Sequence, residues 1–307
     1  MGGSVRLNDP VDKPRLTRRS LLIAGASGLG VAAFTAGTAT GVLPVSEAVQ
    51  RALGVTSTTP VSQVGSARVE RVWSAARGRE IDFVTLLPSK SPPRNLPMVL
   101  VLHGLHGRAR TAAPTGTLTE LAGQVARHAV PPFGLVAVDG GDNYWHENQP
   151  GDDPMRMLLD EVPQWLRRRG LGGTDGRPFA VLGMSMGGFG GLLYARRRAE
   201  RRQPLGGLAL LAPALILSWQ EMSKRNAFHS DADWASMDPL KHLSATSAVP
   251  TGVWCGTEDQ FIQGVRQFIA ATHPAVAFTA RGKHGDSFNR TVVPSVISFL
   301  GKHVPRV

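Results

Sequence analysis

A glycine-rich turn around Ser185 constrains the fold of this chain more than any other feature. The turn, Gly183–Gly187, lies between an apolar run at Pro178–Leu182 and a helical run at Phe189–Arg198. A Gly-x-Ser-x-Gly sequence between a strand and a helix is typical of a turn so tight that the serine takes strained backbone angles. Glycines stand two positions before and after it because larger side chains would collide there. The pattern predicts a nucleophilic Ser185 hydroxyl above the sheet; the alternative is an ordinary glycine-rich turn.

Strand patterns dominate the rest of the chain. Two leading strands, at Ala67–Trp73 and Glu80–Leu87, alternate in hydrophobicity, whereas later ones such as Met98–Leu102 are wholly apolar, as in a central parallel strand. Helical spacing separates the later strands. This order predicts an α/β fold with a mostly parallel central sheet flanked by helices, formed by residues 65–307.

Several helices and one irregular stretch are also predicted within this domain. The helices are expected at Thr115–Val130, Met155–Arg169, Phe261–Ala271 and Thr291–His303. Residues 213–247 are rich in Ser and Asp, and we expect an irregular, cap-like insertion there. In a largely parallel sheet the active site lies at the carboxyl ends of the strands, so we expect functional residues in the loops that follow them.

Composition narrows the function classes. The chain has 307 residues, 42% of them hydrophobic and 19% charged, with a formal net charge of +11. No nucleic-acid-binding motif accompanies the basic residues, so we expect no nucleic-acid partner, while the charge is compatible with an anionic cell envelope. The single cysteine, Cys255, excludes an internal disulfide and is predicted to lie in the core. We expect no cofactor and no metal, because Asp152 and Asp153 lack further ligands at a suitable spacing.

The first 64 residues are predicted to direct the chain out of the cytoplasm. Arg18 and Arg19 precede an uncharged run, Leu21–Leu43, that is rich in Ala, Gly and Thr. A paired arginine before a mildly apolar run is typical of a twin-arginine export signal, which we assign to residues 1–45. An uncut membrane anchor is the alternative, because the run is long enough to span a bilayer. Residues 46–64 are predicted to be a linker.

A serine nucleophile needs a base, and the base needs an acid. His284 lies in a loop directly after the last predicted strand, where its ring can reach the carboxyl edge of the sheet. The preceding strand ends in a glycine turn with two carboxylates, Glu258 and Asp259. We favour Asp259 as the acid, and Glu258 and Asp286 remain alternatives.

Backbone N–H groups must stabilise the oxyanion of the reaction. The elbow itself offers the N–H of Met186. The loop after the Met98–Leu102 strand reads His-Gly-Leu-His-Gly, and the glycine would let the N–H of Leu105 approach the serine as second donor. His106 in this loop is a candidate for the pocket wall.

The loop after the strand at Gly134–Val138 carries an aromatic pair, Tyr144 and Trp145. Aromatic side chains beside polar neighbours at the active edge suit an acyl chain, a sugar or an alcohol, so both are candidate substrate-binding residues. The alternative is that Trp145 only fills the domain surface.

Four blocks in this order resemble the putative-esterase family of α/β hydrolases, which includes esterase D-type enzymes and the antigen 85 mycolyltransferases. The blocks are Leu102-His103-Gly104, Gly183-Met184-Ser185-Met186-Gly187-Gly188, Cys255-Gly256-Thr257-Glu258-Asp259 and Gly282-Lys283-His284. The resemblance extends over about residues 69–303. It implies an α/β-hydrolase fold and the same nucleophile, base, acid turn and oxyanion donors as above. One departure is that Asp286 and Asn289 occupy positions where the family often has tryptophans.

The function that follows is an exported serine hydrolase that cleaves carboxylic esters through an acyl-serine intermediate. Transfer of the acyl group to a sugar or lipid alcohol is a close variant, since only the acceptor differs. The alternative is a non-catalytic, envelope-associated binding protein on a hydrolase scaffold, because the antigen 85 family includes relatives without a working triad.

Overall fold

The computed structural model describes residues 65–147 and 150–306. The predicted export segment and linker lie outside these residues, so they and the domain boundaries stay predictions. Among the helices in the described part, none has the length and apolarity that a membrane span requires.

One mixed sheet organises the described residues, and it confirms the predicted α/β class. Its eight strands lie in the order β1-β2-β4-β3-β5-β6-β7-β8. β1 pairs antiparallel with β2 and β2 pairs antiparallel with β4, whereas every later pairing is parallel. The strands are Ser66–Ser74 (β1), Arg79–Leu87 (β2), Met98–Leu102 (β3), Gly134–Val138 (β4), Ala180–Met184 (β5), Gly207–Leu211 (β6), Thr251–Gly256 (β7) and Val276–Ala280 (β8).

Burial follows the apolar patterns of the strands. β3, β4, β6 and β7 are buried along their whole length, which explains their unbroken apolar sequences. The sheet separates two hydrophobic cores, one built around Phe189, Trp145 and Val265, the other around Trp254, Leu121 and Ile297. Cys255 is fully buried in β7, as predicted.

Helices cover both faces of the sheet. They are Thr117–Ala126 (α1), Pro154–Arg156 (α2), Val162–Arg168 (α3), Met186–Glu200 (α4), Trp219–Ser223 (α5), Asp231–Met237 (α6), Ile262–Thr272 (α7) and Asp286–Gly301 (α8). A π-helical turn at Met157–Glu161 joins α2 to α3, where Pro163 lacks an N–H for the regular ladder.

Two predictions about local structure were wrong. The last helix begins at Asp286, not at Thr291, because Asp286 suits a helix N-terminus and the side chains of Phe288 and Asn289 are buried. Residues 213–247, which we call the insertion, are not irregular throughout. They contain α5 and α6, whose N-termini are capped by Ser218 and Ser230.

Candidate active site

The turn at Ser185 has the strained geometry that its sequence predicts. Ser185 has φ 54° and ψ −120°, angles that few residues other than glycine adopt. A Cβ at Gly183 would lie 2.2 Å from the carbonyl oxygen of Gly187, and a Cβ at Gly187 would lie 2.0 Å from that of Leu102. Neither backbone can yield without moving the strand or the helix, so both positions require glycine.

A chain of hydrogen bonds links the three predicted catalytic side chains. The Oγ of Ser185 lies 3.0 Å from Nε2 of His284, and Nδ1 of His284 lies 2.7 Å from Oδ2 of Asp259. The Asp259 side chain is fully buried, and its Oδ1 accepts the N–H of Phe261 at 2.9 Å. The Phe261 ring packs edge-on against the imidazole, with 5.1 Å between ring centres. The imidazole is therefore held at both nitrogens and along one side.

The two alternative acids point elsewhere. Glu258 forms an exposed ion pair with Arg281, at 3.0 Å between Oε1 and Nε. Asp286 accepts the backbone N–H of Thr115 at 3.0 Å. Of the three carboxylates considered, only Asp259 contacts the histidine, so the geometry favours it as the triad acid.

The loops that carry the acid and the base are fastened to each other. The N–H of Glu258 donates to the carbonyl oxygen of Gly282 at 2.9 Å, and that of Thr257 donates to Ala280 at 2.8 Å. A Cβ at Gly256 would lie 2.2 Å from the same Gly282 oxygen, so the two loops can approach only because β7 ends in glycine. This contact sets the distance between Asp259 and His284.

The loop after β3 passes close to the serine. A Cβ at Gly104 would lie 3.3 Å from the Cβ of Ser185, which leaves space for backbone but little for a side chain. The next residue is Leu105, and Met186 is the first residue of α4, where the N–H has no intrahelical acceptor. Within the described residues, neither amide donates to a backbone carbonyl outside regular structure. Both are thus available to a substrate oxygen.

His103 is a structural residue that holds this loop in place, and it is not a second catalytic base beside His284. It is 1% exposed, its Nε2 accepts the N–H of Gly140 at 2.9 Å, and its Nδ1–H donates to the Gly104 carbonyl at 2.8 Å. Burial lowers the pKa of His103, against the pull of the nearby carboxylates Asp139 and Asp142. Through these two hydrogen bonds, the His103 ring holds the backbone at Gly104 in place beside the serine.

A cavity of about 760 Å³ opens above the serine. Ser185, His284, Leu105, His106 and Tyr144 line it. The His106 ring is mostly exposed and pairs with Asp142, at 3.0 Å between Nδ1 and Oδ2. A volume of this size is sufficient for a small organic ester.

Trp145 is not among the residues that line this cavity. It is fully buried, its indole N–H donates to the His103 carbonyl at 3.2 Å, and a Cβ at Gly140 or Gly190 would collide with its ring. The prediction of a substrate contact is therefore wrong for Trp145, which fills the core beneath the loop. Tyr144 is also buried, but it borders the cavity.

The family of the chain follows from its sequence. The model of the family described as Putative esterase matches residues 74–283, about two thirds of the chain. The chain belongs to this esterase family. It is therefore an ester hydrolase. The comparison with curated proteins finds no match.

Solved structures show the fold of this esterase. A ferulic acid esterase has a TM-score of 0.64 at 15% identity, with 78% of this chain and 99% of that one covered. An S-formylglutathione hydrolase from Agrobacterium tumefaciens has a TM-score of 0.61 at 17% identity, with 80% and 99% covered. Carboxyl esterase 2 from Tuber melanosporum has a TM-score of 0.57 at 14% identity, with 81% and 90% covered. The mixed sheet with its flanking helices is thus the α/β-hydrolase fold.

Sequence reasoning missed part of the cavity wall of the esterase. Arg110, Arg225 and Gln260 line it, and no motif marks them. Asn289 also lines it, and the departure from the family's tryptophans was the signal that could have identified it. Among the described residues, no cluster of His, Cys, Asp or Glu is arranged to hold a metal ion.

Proposed function

We propose that the esterase cleaves carboxylic esters through a covalent acyl-serine at Ser185. The observation that carries this proposal is the hydrogen-bond chain from Asp259 through His284 to the serine oxygen. A serine hydroxyl is a poor nucleophile by itself, and a hydrogen-bonded imidazole removes this limitation. The strained turn holds the oxygen at the cavity, so attack requires little rearrangement.

In the first half of the reaction, Ser185 Oγ attacks the ester carbonyl while its proton passes to Nε2 of His284. The buried Asp259 carboxylate holds the Nδ1–H and stabilises the imidazolium that forms. The N–H groups of Leu105 and Met186 stabilise the oxyanion. The tetrahedral intermediate collapses, the C–O bond to the alcohol breaks, and the imidazolium protonates the departing alcohol.

In the second half, His284 deprotonates a water that attacks the acyl-serine, which releases the acid and restores the hydroxyl. A sugar or lipid alcohol in place of water would give acyl transfer by the same steps. The open cavity supports entry of either acceptor. Product ratios in water with and without candidate alcohols separate the two reactions.

We also propose export by the twin-arginine route, followed by secretion or association with the cell envelope. The support is the sequence of residues 1–45, with Arg18 and Arg19 before the uncharged run. Replacing both arginines by lysine should leave a tagged full-length chain in the cytoplasm, and export of that variant would contradict the proposal.

Labelling with a fluorophosphonate and hydrolysis of 4-nitrophenyl esters of increasing chain length test the chemistry. The wild type should label once and turn over short esters. Ser185→Ala should lose the label and lower kcat by about 10⁴-fold or more. An unlabelled, inactive wild type would support the non-catalytic binding protein instead, and persistent labelling of Ser185→Ala would contradict the assigned nucleophile.

A further inference from the structure

The two arginines that line the catalytic cavity differ in how their charges are compensated. Arg110 forms an ion pair with Asp82, at 2.5 Å between Nε and Oδ2. Arg225 forms no ion pair and no side-chain hydrogen bond with any residue that the structure describes. Its Nε is buried and has no partner. One cavity cation is therefore neutralised by the fold, and the other is not.

An uncompensated guanidinium in a partly buried position is costly. Arginine stays protonated at any physiological pH, so Arg225 cannot remove the cost by losing its charge. A methionine or leucine would cover the same surface without the desolvation penalty. The described residues supply no counter-ion for this charge, so the charge remains available to an anionic ligand.

Arg225 lies beside the aromatic wall of the cavity. It follows α5 in the insertion, and its N–H donates to the carbonyl of Met222 at 2.9 Å. Its side chain lies near the Tyr144 phenol: burial raises the pKa of Tyr144, and the Arg225 charge acts against this rise. Tyr144 borders the same cavity as Ser185. Arg225 thus lines the space that a bound ester would occupy.

The cavity also contains an acid, at a different place. Asp286 lies with Asn289 on α8, and Asn289 Nδ2 contacts Met184 Sδ at 3.6 Å. Met184 packs against the second hydrophobic core, whereas Tyr144 belongs to the first, on the other side of the sheet. An anionic ligand group would therefore be attracted toward Arg225 and repelled from Asp286, which gives the substrate one orientation.

We propose that Arg225 binds a free carboxylate of the substrate and that the esterase prefers esters that carry one. The planar guanidinium matches a carboxylate in a bidentate, charge-assisted pair. This inference rests on the proposed ester hydrolysis at Ser185 and names its substrate class: half-esters of dicarboxylic acids, or hydroxy acids acylated on the hydroxyl group, in place of neutral esters.

Two esters of similar size separate the charge from the chemistry. The full-length protein is assayed with 4-nitrophenyl butyrate and with 4-nitrophenyl hemisuccinate, and the ratio of kcat/KM for the charged over the neutral ester is measured. Arg225→Met should lower this ratio by about tenfold or more, the size expected for a charge-assisted pair. Arg225→Lys should retain part of it. The double variant Arg110→Met/Asp82→Asn is the control: it removes an arginine of the same cavity together with the carboxylate that compensates it, and the ratio should change by less than about threefold because the pair carries no net charge.

Succinate gives a second readout that does not need turnover. It should compete with fluorophosphonate labelling of the wild type and compete more weakly in Arg225→Met. An unchanged ratio and unchanged competition in Arg225→Met would overturn the inference alone, while both esters are still hydrolysed. If the wild type hydrolyses neither ester, the proposed function is overturned as well.

Discussion

The catalytic triad and the remaining walls of the cavity differ in how completely their polar groups are hydrogen-bonded within the protein. In the catalytic corner, which consists of Ser185, His284 and Asp259, both ring nitrogens of His284 and both carboxylate oxygens of Asp259 form hydrogen bonds within the protein. On the walls, the Nε of Arg225 and the Oδ1 of Asn289 are buried without a partner among the described residues.

This difference separates the chemistry from the selection of substrate. The attack on a carbonyl is the same for every ester, so a fully bonded, rigid arrangement can serve all substrates. Unpaired groups on the walls reject ligands that fail to satisfy them, because buried polar groups without partners are costly. We therefore expect the corner to determine the reaction class and the walls to determine which ester reacts.

The largest expected effect comes from a substitution in the catalytic corner itself. Asp259→Asn should lower kcat by about 10⁴-fold, because an amide no longer stabilises the imidazolium or the correct tautomer. Glu258→Gln is the control, since this side chain pairs only with Arg281 at the surface. Steady-state kinetics on a short aryl ester measure both. Equal losses in the two variants would contradict the assignment of the acid.

Substitutions of two glycines should distinguish the role of the turn at Ser185 from that of the loop after β3. Gly104→Ala should lower kcat by about 10²-fold with little loss of stability, because the methyl group meets Ser185 at 3.3 Å and displaces a donor. Gly187→Ala should instead destabilise the fold by about 3 kcal/mol, since its Cβ would collide with backbone. Denaturant unfolding together with kinetics separates the two effects. A stable, active Gly187→Ala would show that the turn is not constrained.

A smaller effect, on stability, is expected from the buried Oδ1 of Asn289 in the cavity wall, which has no hydrogen-bond partner among the described residues. Asn289 is 6% exposed, and Asn289→Leu should raise the free energy of unfolding by about 1 kcal/mol by removing the buried acceptor. For a domain of this size that corresponds to about 2–4 °C in Tm. Thermal unfolding measures it, and a lower Tm would mean that Oδ1 is satisfied in solution.

The smallest effect is a pH dependence of stability. Burial lowers the pKa of His103 and of His146 from the ordinary 6.5, so the unfolded chain binds more protons than the folded one below that pH. The stabilisation is fully present above about pH 6.5 and is lost as the pH falls toward the folded pKa values. Tm at pH 7.5 and 5.5 should show the loss, and His103→Gln should reduce the difference. An unchanged difference in His103→Gln would place the pH dependence elsewhere.

Much of the catalytic corner could be predicted because its constraints are local. The strained turn needs glycines at fixed distances from Ser185, and His284 directly follows an apolar strand, so both are visible in a single sequence. The start of α8 was misjudged because its first turn is polar, and the helix is stabilised there by burial of Phe288 and Asn289 against distant parts of the chain.

By itself, the sequence determined the α/β class, the strand order along the chain and the three residue types of the triad, since hydrophobic period and glycine spacing act within a few residues. Only the tertiary structure decided between Asp259 and Glu258, which are neighbours in the sequence but point in different directions. It likewise buried Trp145 in the core and brought Arg225 to the cavity. Contacts between segments that are distant in the chain set these outcomes, and no local pattern encodes which side chain meets which.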